Sequence, residues 1–182
     1  MQAPLFYRDT PKMTIPSTPA LQDPQHPYDL SDALISLTAD FYVTGQNYPV
    51  LFVDDIPDTL YSLQRMYESD FNVLCASSGE QALALLAQQP ADQPICTVFS
   101  DQRMPHMCGD ELFSLIRERY PLAVRVLMTA YADIQSVISA INTGHIHRYI
   151  RKPWEPDEFS QTLREAVATS VLMQRFSKLY RK

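Results

Sequence analysis

Residues 95–105, ICTVFSDQRMP, decide how this chain folds. The first six, 95–100, are a short unbroken apolar run rich in β-branched and aromatic residues, the pattern of a strand covered on both faces. Asp101 ends the run, and an amphipathic segment from Gly109 to Arg119 follows it. The same alternation extends in both directions. Upstream, 49–54 (PVLFVD) predicts a first strand, and Leu60, Leu63, Met66 and Tyr67 mark the helix after it. Residues 72–75 (NVLC) predict a second strand, and Glu80 to Gln88 a second helix. Downstream, VRVLMTA predicts a fourth strand ending near Thr129, Ile134 to Ile141 a helix, and HRYIRK a fifth strand, with a final helix starting near Pro156. Five strands alternating with five helices predict a small α/β domain with a doubly wound, five-stranded parallel sheet.

In such sheets ligands gather beyond the carboxyl ends of the strands. That rule selects Asp54 and Asp55 after the first strand, Asp101 after the third, Thr129 on the fourth and Lys152 on the fifth. Three converging carboxylates stay ionised together only when a cation compensates them. Hard oxygen donors with no histidine or cysteine at ligand spacing favour Mg²⁺, with Mn²⁺ as the alternative, over zinc. Asp55 and Asp101 are expected to bind directly and Asp54 through water, with the backbone carbonyl of Arg103 as a further ligand. Lys152 and the Thr129 hydroxyl then suit the oxygens of a phosphoryl group. Asp101 could attack phosphorus and carry an acyl phosphate. Neither GxxxxGK[ST] nor GxGxxG occurs, so no motif supports nucleotide binding.

The rest of the 182-residue chain differs from this core. Pro4, Pro11, Pro16, Pro19, Pro24 and Pro27 make 1–27 a proline-rich tail. Leu30, Ala33, Leu34, Leu37 and Phe41 recur at helical spacing within 28–47, which predicts an amphipathic N-terminal extension capped by Ser31 or Asp29. The core domain is expected over 48–170. Residues 171–182 are expected to prolong the last helix, with Leu172, Phe176 and Leu179 on its apolar face, or to lead to a further output domain. A formal charge of −6 disfavours nonspecific nucleic-acid binding by the domain. Cys75, Cys96 and Cys108 fit neither a disulfide framework nor a zinc site, and no secretory or membrane-spanning pattern occurs, so a cytoplasmic setting with reduced thiols is expected. His106, His145 and His147 read as surface or loop residues, and Trp154 as packing on the start of the last helix or on a partner.

The residues VDD at 53–55, DQRMP at 101–105 with Gly109, LMTA at 127–130 and YIRKP at 149–153 closely resemble the receiver domain of two-component response regulators. The resemblance covers about 49–168 and implies a flavodoxin-like doubly wound fold. It implies that Asp101 is the phosphorylated residue, that Asp54 and Asp55 are the acidic pair, and that Thr129 and Lys152 contact the phosphate. Tyr149 matches the aromatic switch, and Lys152–Pro153 the cis peptide bond. The longer runs resemble receivers attached to enhancer-dependent transcription activators, cyclic-dinucleotide phosphodiesterases or hybrid sensory kinases. Ile56 departs from the further acidic residue common at its place, and His106 and Cys108 alter the turn before Gly109.

The expected partners are a sensor histidine kinase or phosphotransfer protein, a second copy or an attached output domain, with neither nucleic acid nor membrane contacted directly. Catalysis is expected to be limited to the domain's own phosphoryl transfer and dephosphorylation, not conventional turnover. Arg103 and Tyr131 flank the expected phosphate, either shielding it or pointing to solvent. A phosphorylation-independent docking or dimerisation module, or a small phosphatase working through aspartyl phosphate, are the alternatives.

Overall fold

Residues 48–90, 93–130 and 146–180 are described by a computed structural model, the last three by their backbone alone. The expected tail, the N-terminal helix, the helix over 134–141, Tyr131 and His145 lie outside these residues.

The described elements are β1 (Pro49–Val53), α1 (Pro57–Tyr67), β2 (Asn72–Ala76), α2 (Gly79–Gln88), β3 (Thr97–Asp101), α3 (Gly109–Arg119), β4 (Val124–Ala130), β5 (Arg148–Lys152) and α4 (Pro156–Tyr180). The strands form one sheet in the order β2-β1-β3-β4-β5, and every pairing is parallel. The chain therefore builds outward from β1 in one direction and from β3 in the other, so the order reverses between these two strands. Their carboxyl ends flank the crevice that this reversal opens.

Alternation along each strand sorts the core into two layers. Val50, Phe52, Phe99, Val126, Met128 and Ile150 face α1 and α4, where Leu63, Tyr67, Phe159, Leu163 and Val167 cover them. Leu51, Val53, Val98 and Leu127 face α2 and α3, against Ala82, Leu86, Leu112, Phe113 and Ile116. Phe159 is the hub of the first layer. Its ring lies 5.3 Å from Phe99, 5.5 Å from Tyr67 and 5.0 Å from Trp154, so Trp154 packs on the start of the last helix.

Strand ends and one helix face differ from the sequence reading. β1 stops at Val53, leaving Asp54 just beyond it. β3 starts at Thr97 and includes Asp101, because the buried Ile95 and Cys96 belong to the approach to the strand. Met66 is 47% exposed and does not mark the inner face of α1. That face is Leu60, Leu63 and Tyr67 at i, i+3 and i+7, and position 66 falls on its flank.

The last helix continues without a break past 170. Val171 is buried in the first layer, Ser170 Oγ donates to the Leu122 carbonyl at 3.0 Å, and Gln174 Nε2 reaches Cys96 Sγ at 3.5 Å. Phe176, beyond these anchors, is 56% exposed. Among the described residues no helix is long and apolar enough to cross a membrane.

Candidate functional site

Strand parity explains why three charged residues meet. Asp54, Asp101 and Lys152 each lie two residues beyond a buried residue of the first layer, Phe52, Phe99 and Ile150. Side chains two apart on a strand share a face, so all three emerge on one side of the sheet's carboxyl edge. Register sets their depth. Val53 pairs with Ser100, and the next step brings Asp54 level with Asp101.

The side chains then close on each other. Lys152 Nζ lies 2.7 Å from Asp54 Oδ2 and 2.9 Å from Asp101 Oδ1. Asp55, more open to solvent than either, offers an oxygen that lies with those of Asp54 and Asp101 within 4.8 Å of one another. Asp54 is fully buried and also shapes the chain, its Oδ1 accepting the Ile56 N–H at 3.0 Å as α1 begins. Pro57 follows at the first turn, where a missing N–H costs nothing.

Charge governs what this cluster can do. Burial raises the Asp101 pKa above its ordinary 3.8, opposed by the hydrogen bond and charge of Lys152 and reinforced by Asp54. Burial is the largest single influence on Lys152 and lowers its pKa, but the bonds and charges of Asp54 and Asp101 together outweigh it, so the value is raised above 10.5. Three ionised carboxylates against one ammonium leave a net double negative charge, which one divalent cation would cancel. The donors are oxygens alone, as a hard cation requires. The cluster can thus hold a metal ion.

Thr129 is 4% exposed on β4, and its hydroxyl donates to the Ala130 carbonyl at 3.3 Å, long for such a bond and easily exchanged for a better acceptor. Tyr149 on β5 is 58% exposed, pointing away from the core. The Lys152–Pro153 peptide bond is cis. Arg103 and His106 are exposed in the loop after β3, and His106 adopts a left-handed φ of 69°. His147 is a strand-end residue, its Nδ1 accepting the Arg125 N–H at 3.1 Å. All three cysteines are free.

Two neighbours of Asp101 make contacts that the sequence reading did not assign. Ser100 Oγ donates to the Asp101 carbonyl at 2.9 Å, and Gln102 Nε2 donates to Asp110 Oδ1 at 3.0 Å. Ser100 lies outside the quoted motifs and Gln102, although inside DQRMP, has no role assigned by it, so only the fold exposes these contacts. Gly109 was legible as a glycine, and its reason is close approach. A Cβ there would lie 2.5 Å from the Asp101 carbonyl oxygen and 2.9 Å from Leu127 Cδ1.

Comparison with known proteins agrees with this geometry. The hydrogenase transcriptional regulatory protein HoxA of Cupriavidus necator is 38% identical over 130 residues, which are 71% of this chain and 26% of HoxA. The transcriptional regulatory protein ZraR of Escherichia coli is 32% identical over 127 residues, 69% of this chain and 28% of ZraR. The chain thus spans about a quarter of the length of these curated relatives. The crystal structure of the signal receiver domain of an HD domain-containing protein from Pseudomonas fluorescens superposes with a TM-score of 0.63 at 32% identity, covering 68% of this chain and 96% of that one. The crystal structure of an adenylate cyclase from Rhodopirellula baltica superposes with a TM-score of 0.70 at 28% identity, over 75% and 98%. Residues 50–164 match the response regulator receiver domain. With the parallel five-stranded sheet and the acidic cluster at its switch point, this match shows that the chain belongs to the response regulator receiver family.

Proposed function

We propose that this receiver takes a phosphoryl group from a phosphohistidine of a sensor kinase or phosphotransfer protein onto Asp101, and thereby alters a protein-binding surface. The observation that carries the reading is the bridge of Lys152 between Asp54 and Asp101, beside a third carboxylate. Asp55 and Asp101 with the Arg103 carbonyl would hold Mg²⁺, or Mn²⁺ in its place. Asp54 already serves Lys152 and the Ile56 N–H, which suits it to contact through water. When bound, the ion offsets negative charge on the phosphoryl oxygens and on the carboxylates.

An Asp101 carboxylate oxygen attacks phosphorus in line, the new O–P bond forming as the P–N bond to the donor imidazole breaks; the imidazole leaves neutral, its charge balanced by its ring proton. Lys152, freed in part from Asp101, turns its ammonium to a phosphoryl oxygen. Thr129 exchanges its long bond to Ala130 for a second phosphoryl oxygen. Tyr149, now exposed, moves inward behind Thr129, changing the surface of β5 and the neighbouring α4. The switch operates because the phosphoryl group stabilises the second arrangement more than the first.

Transcriptional control through an attached output domain is the reading favoured by the curated relatives, which are transcriptional regulators. A cytoplasmic setting fits three free thiols. The exposed Phe176 favours a protein interface, with a second copy or an output domain, in addition to the switch. The test is intact mass after incubation with acetyl phosphate and Mg²⁺. One added phosphoryl group in the wild type, absent in Asp101→Asn, is expected. No addition in the wild type, under conditions that label an active receiver, contradicts the proposal and favours a docking module. Continuous phosphate release from many small esters points to a phosphatase instead.

A further inference from the structure

Gln102 follows the acceptor position, and the chemistry above gives it no part. It is 5% exposed. Its N–H donates to the Met128 carbonyl and its carbonyl accepts the Gly109 N–H, each at 3.0 Å. Its side-chain Nε2 donates to Asp110 Oδ1, also at 3.0 Å. Gly109 and Asp110 are the first two residues of α3. The loop 103–108 is therefore closed at its base by two hydrogen bonds from one residue, while a third ties that residue to β4.

The remaining polar atom, Gln102 Oε1, is buried without a partner. A leucine would fill a similar volume and strand no oxygen, so packing alone does not account for an amide here. What the amide adds is the bond to Asp110. The other fixed point of the loop is equally tight, since Gly109 lies hard against the Asp101 carbonyl.

We infer that Gln102 is a positioning residue, which with Asp110 clasps the loop 103–108 and so fixes the Arg103 carbonyl for the divalent cation. The inference rests on the proposed function, in which that carbonyl is a ligand. A side-chain carboxylate can rotate to follow an ion, whereas a backbone carbonyl stands where its chain puts it. Arg103 is bonded directly to Gln102, so the anchors of Gln102 on β4 and α3 are the anchors of the ligand. Groups that orient metal ligands in this indirect way commonly tune affinity by 10–100-fold.

The test is a Mg²⁺ titration of the whole chain, followed by calorimetry and by the fluorescence of Trp154, the single tryptophan. Gln102→Leu and Asp110→Ala are expected to bind Mg²⁺ about 10-fold more weakly, and Asp110→Asn, which keeps the acceptor oxygen, within about two-fold of wild type. Thermal unfolding without Mg²⁺ separates positioning from folding. The clasp predicts weakened binding in variants whose metal-free stability stays close to wild type. Wild-type affinity in Gln102→Leu overturns it. An equal loss in Asp110→Asn also overturns it, because the effect then belongs to carboxylate charge. Loss of affinity that merely follows loss of metal-free stability overturns it as well. If Gln102→Leu does not fold, Asp110→Ala, at the partly exposed start of α3, decides the question. A wild type that binds no Mg²⁺ and matches Asp55→Asn refutes the proposed metal site and the clasp with it, so the two failures are distinguishable.

Discussion

At the scale of single residues, Lys152 is the group on which the metal-free site depends. It faces a fully buried Asp54 and a nearly buried Asp101, and its loss leaves both without a counter-charge. Lys152→Met is expected to lower stability by roughly 3 kcal/mol at neutral pH, measured by urea unfolding without divalent cations. Because the folded Lys152 pKa is raised, its contribution is fully present below 10.5 and is lost as pH rises through the raised value. Asp101 behaves in the opposite sense from most carboxylates. Its folded pKa is also raised, so the stability that its protonated form confers is complete below 3.8 and disappears as pH rises through the raised value. Metal-free Asp101→Asn is therefore expected to be at least as stable as wild type at pH 7, with the advantage vanishing in acid. Paired unfolding curves across pH check this, and a wild type more stable than Asp101→Asn at pH 7 without metal would falsify the burial argument. That Asp54, Asp55, Asp101 and Lys152 meet at one edge of the sheet was legible in the sequence, because strand ends converge. Ser100 and Gln102 were not, because their contacts depend on the path of a loop and the start of α3.

At the scale of elements, the junction between β3 and α3 is the tightest part of the site. Gly109→Ala would drive a Cβ into backbone at 2.5 Å, where neither the Asp101 carbonyl nor β3 has room to yield. A loss of about 1–3 kcal/mol is expected, with slower phosphorylation as the acceptor strand shifts. Gly79→Ala makes the informative contrast. Its new Cβ meets only the side chain of Met107, Sδ most closely, with Cγ at 2.9 Å and Cβ at 3.1 Å, and a flexible thioether side chain can rotate aside where backbone cannot. Its cost is expected to stay below about 1 kcal/mol, by the same urea titration. The alternating runs made strand and helix identity legible across the described core. The edges were less so. Ile95 and Cys96 are apolar and buried like strand residues, yet lie ahead of β3, although Cys96 still donates its N–H to the Pro49 carbonyl and accepts the Val124 N–H, each at 2.9 Å. Met66 is apolar by composition but sits off the 3.6-residue stripe that Leu60, Leu63 and Tyr67 define.

At the scale of the whole molecule, one aromatic layer ties the site to the long terminal helix. Phe159 touches Phe52 and Phe99 from the two acidic strands and Trp154 from the segment after Lys152. Phe159→Ala is expected to cost about 3–5 kcal/mol and to loosen the carboxyl edge of the sheet as it does so, read from unfolding and from hydrogen exchange at β1 and β3. The fold could be read from the order of runs because parallel strands buried on both faces leave a continuous apolar signature. What the terminal helix meets beyond Gln174 could not, since periodicity shows that a face is apolar and not what covers it. The account stands on Asp101 as the residue that carries the phosphoryl group. Its most direct test is borohydride reduction of protein treated with acetyl phosphate and Mg²⁺, which converts an aspartyl phosphate to homoserine, followed by peptide mass mapping. Homoserine at position 101, in treated wild type only, is the predicted result; reduction at another carboxylate, or none despite stable phosphoryl incorporation, would contradict it.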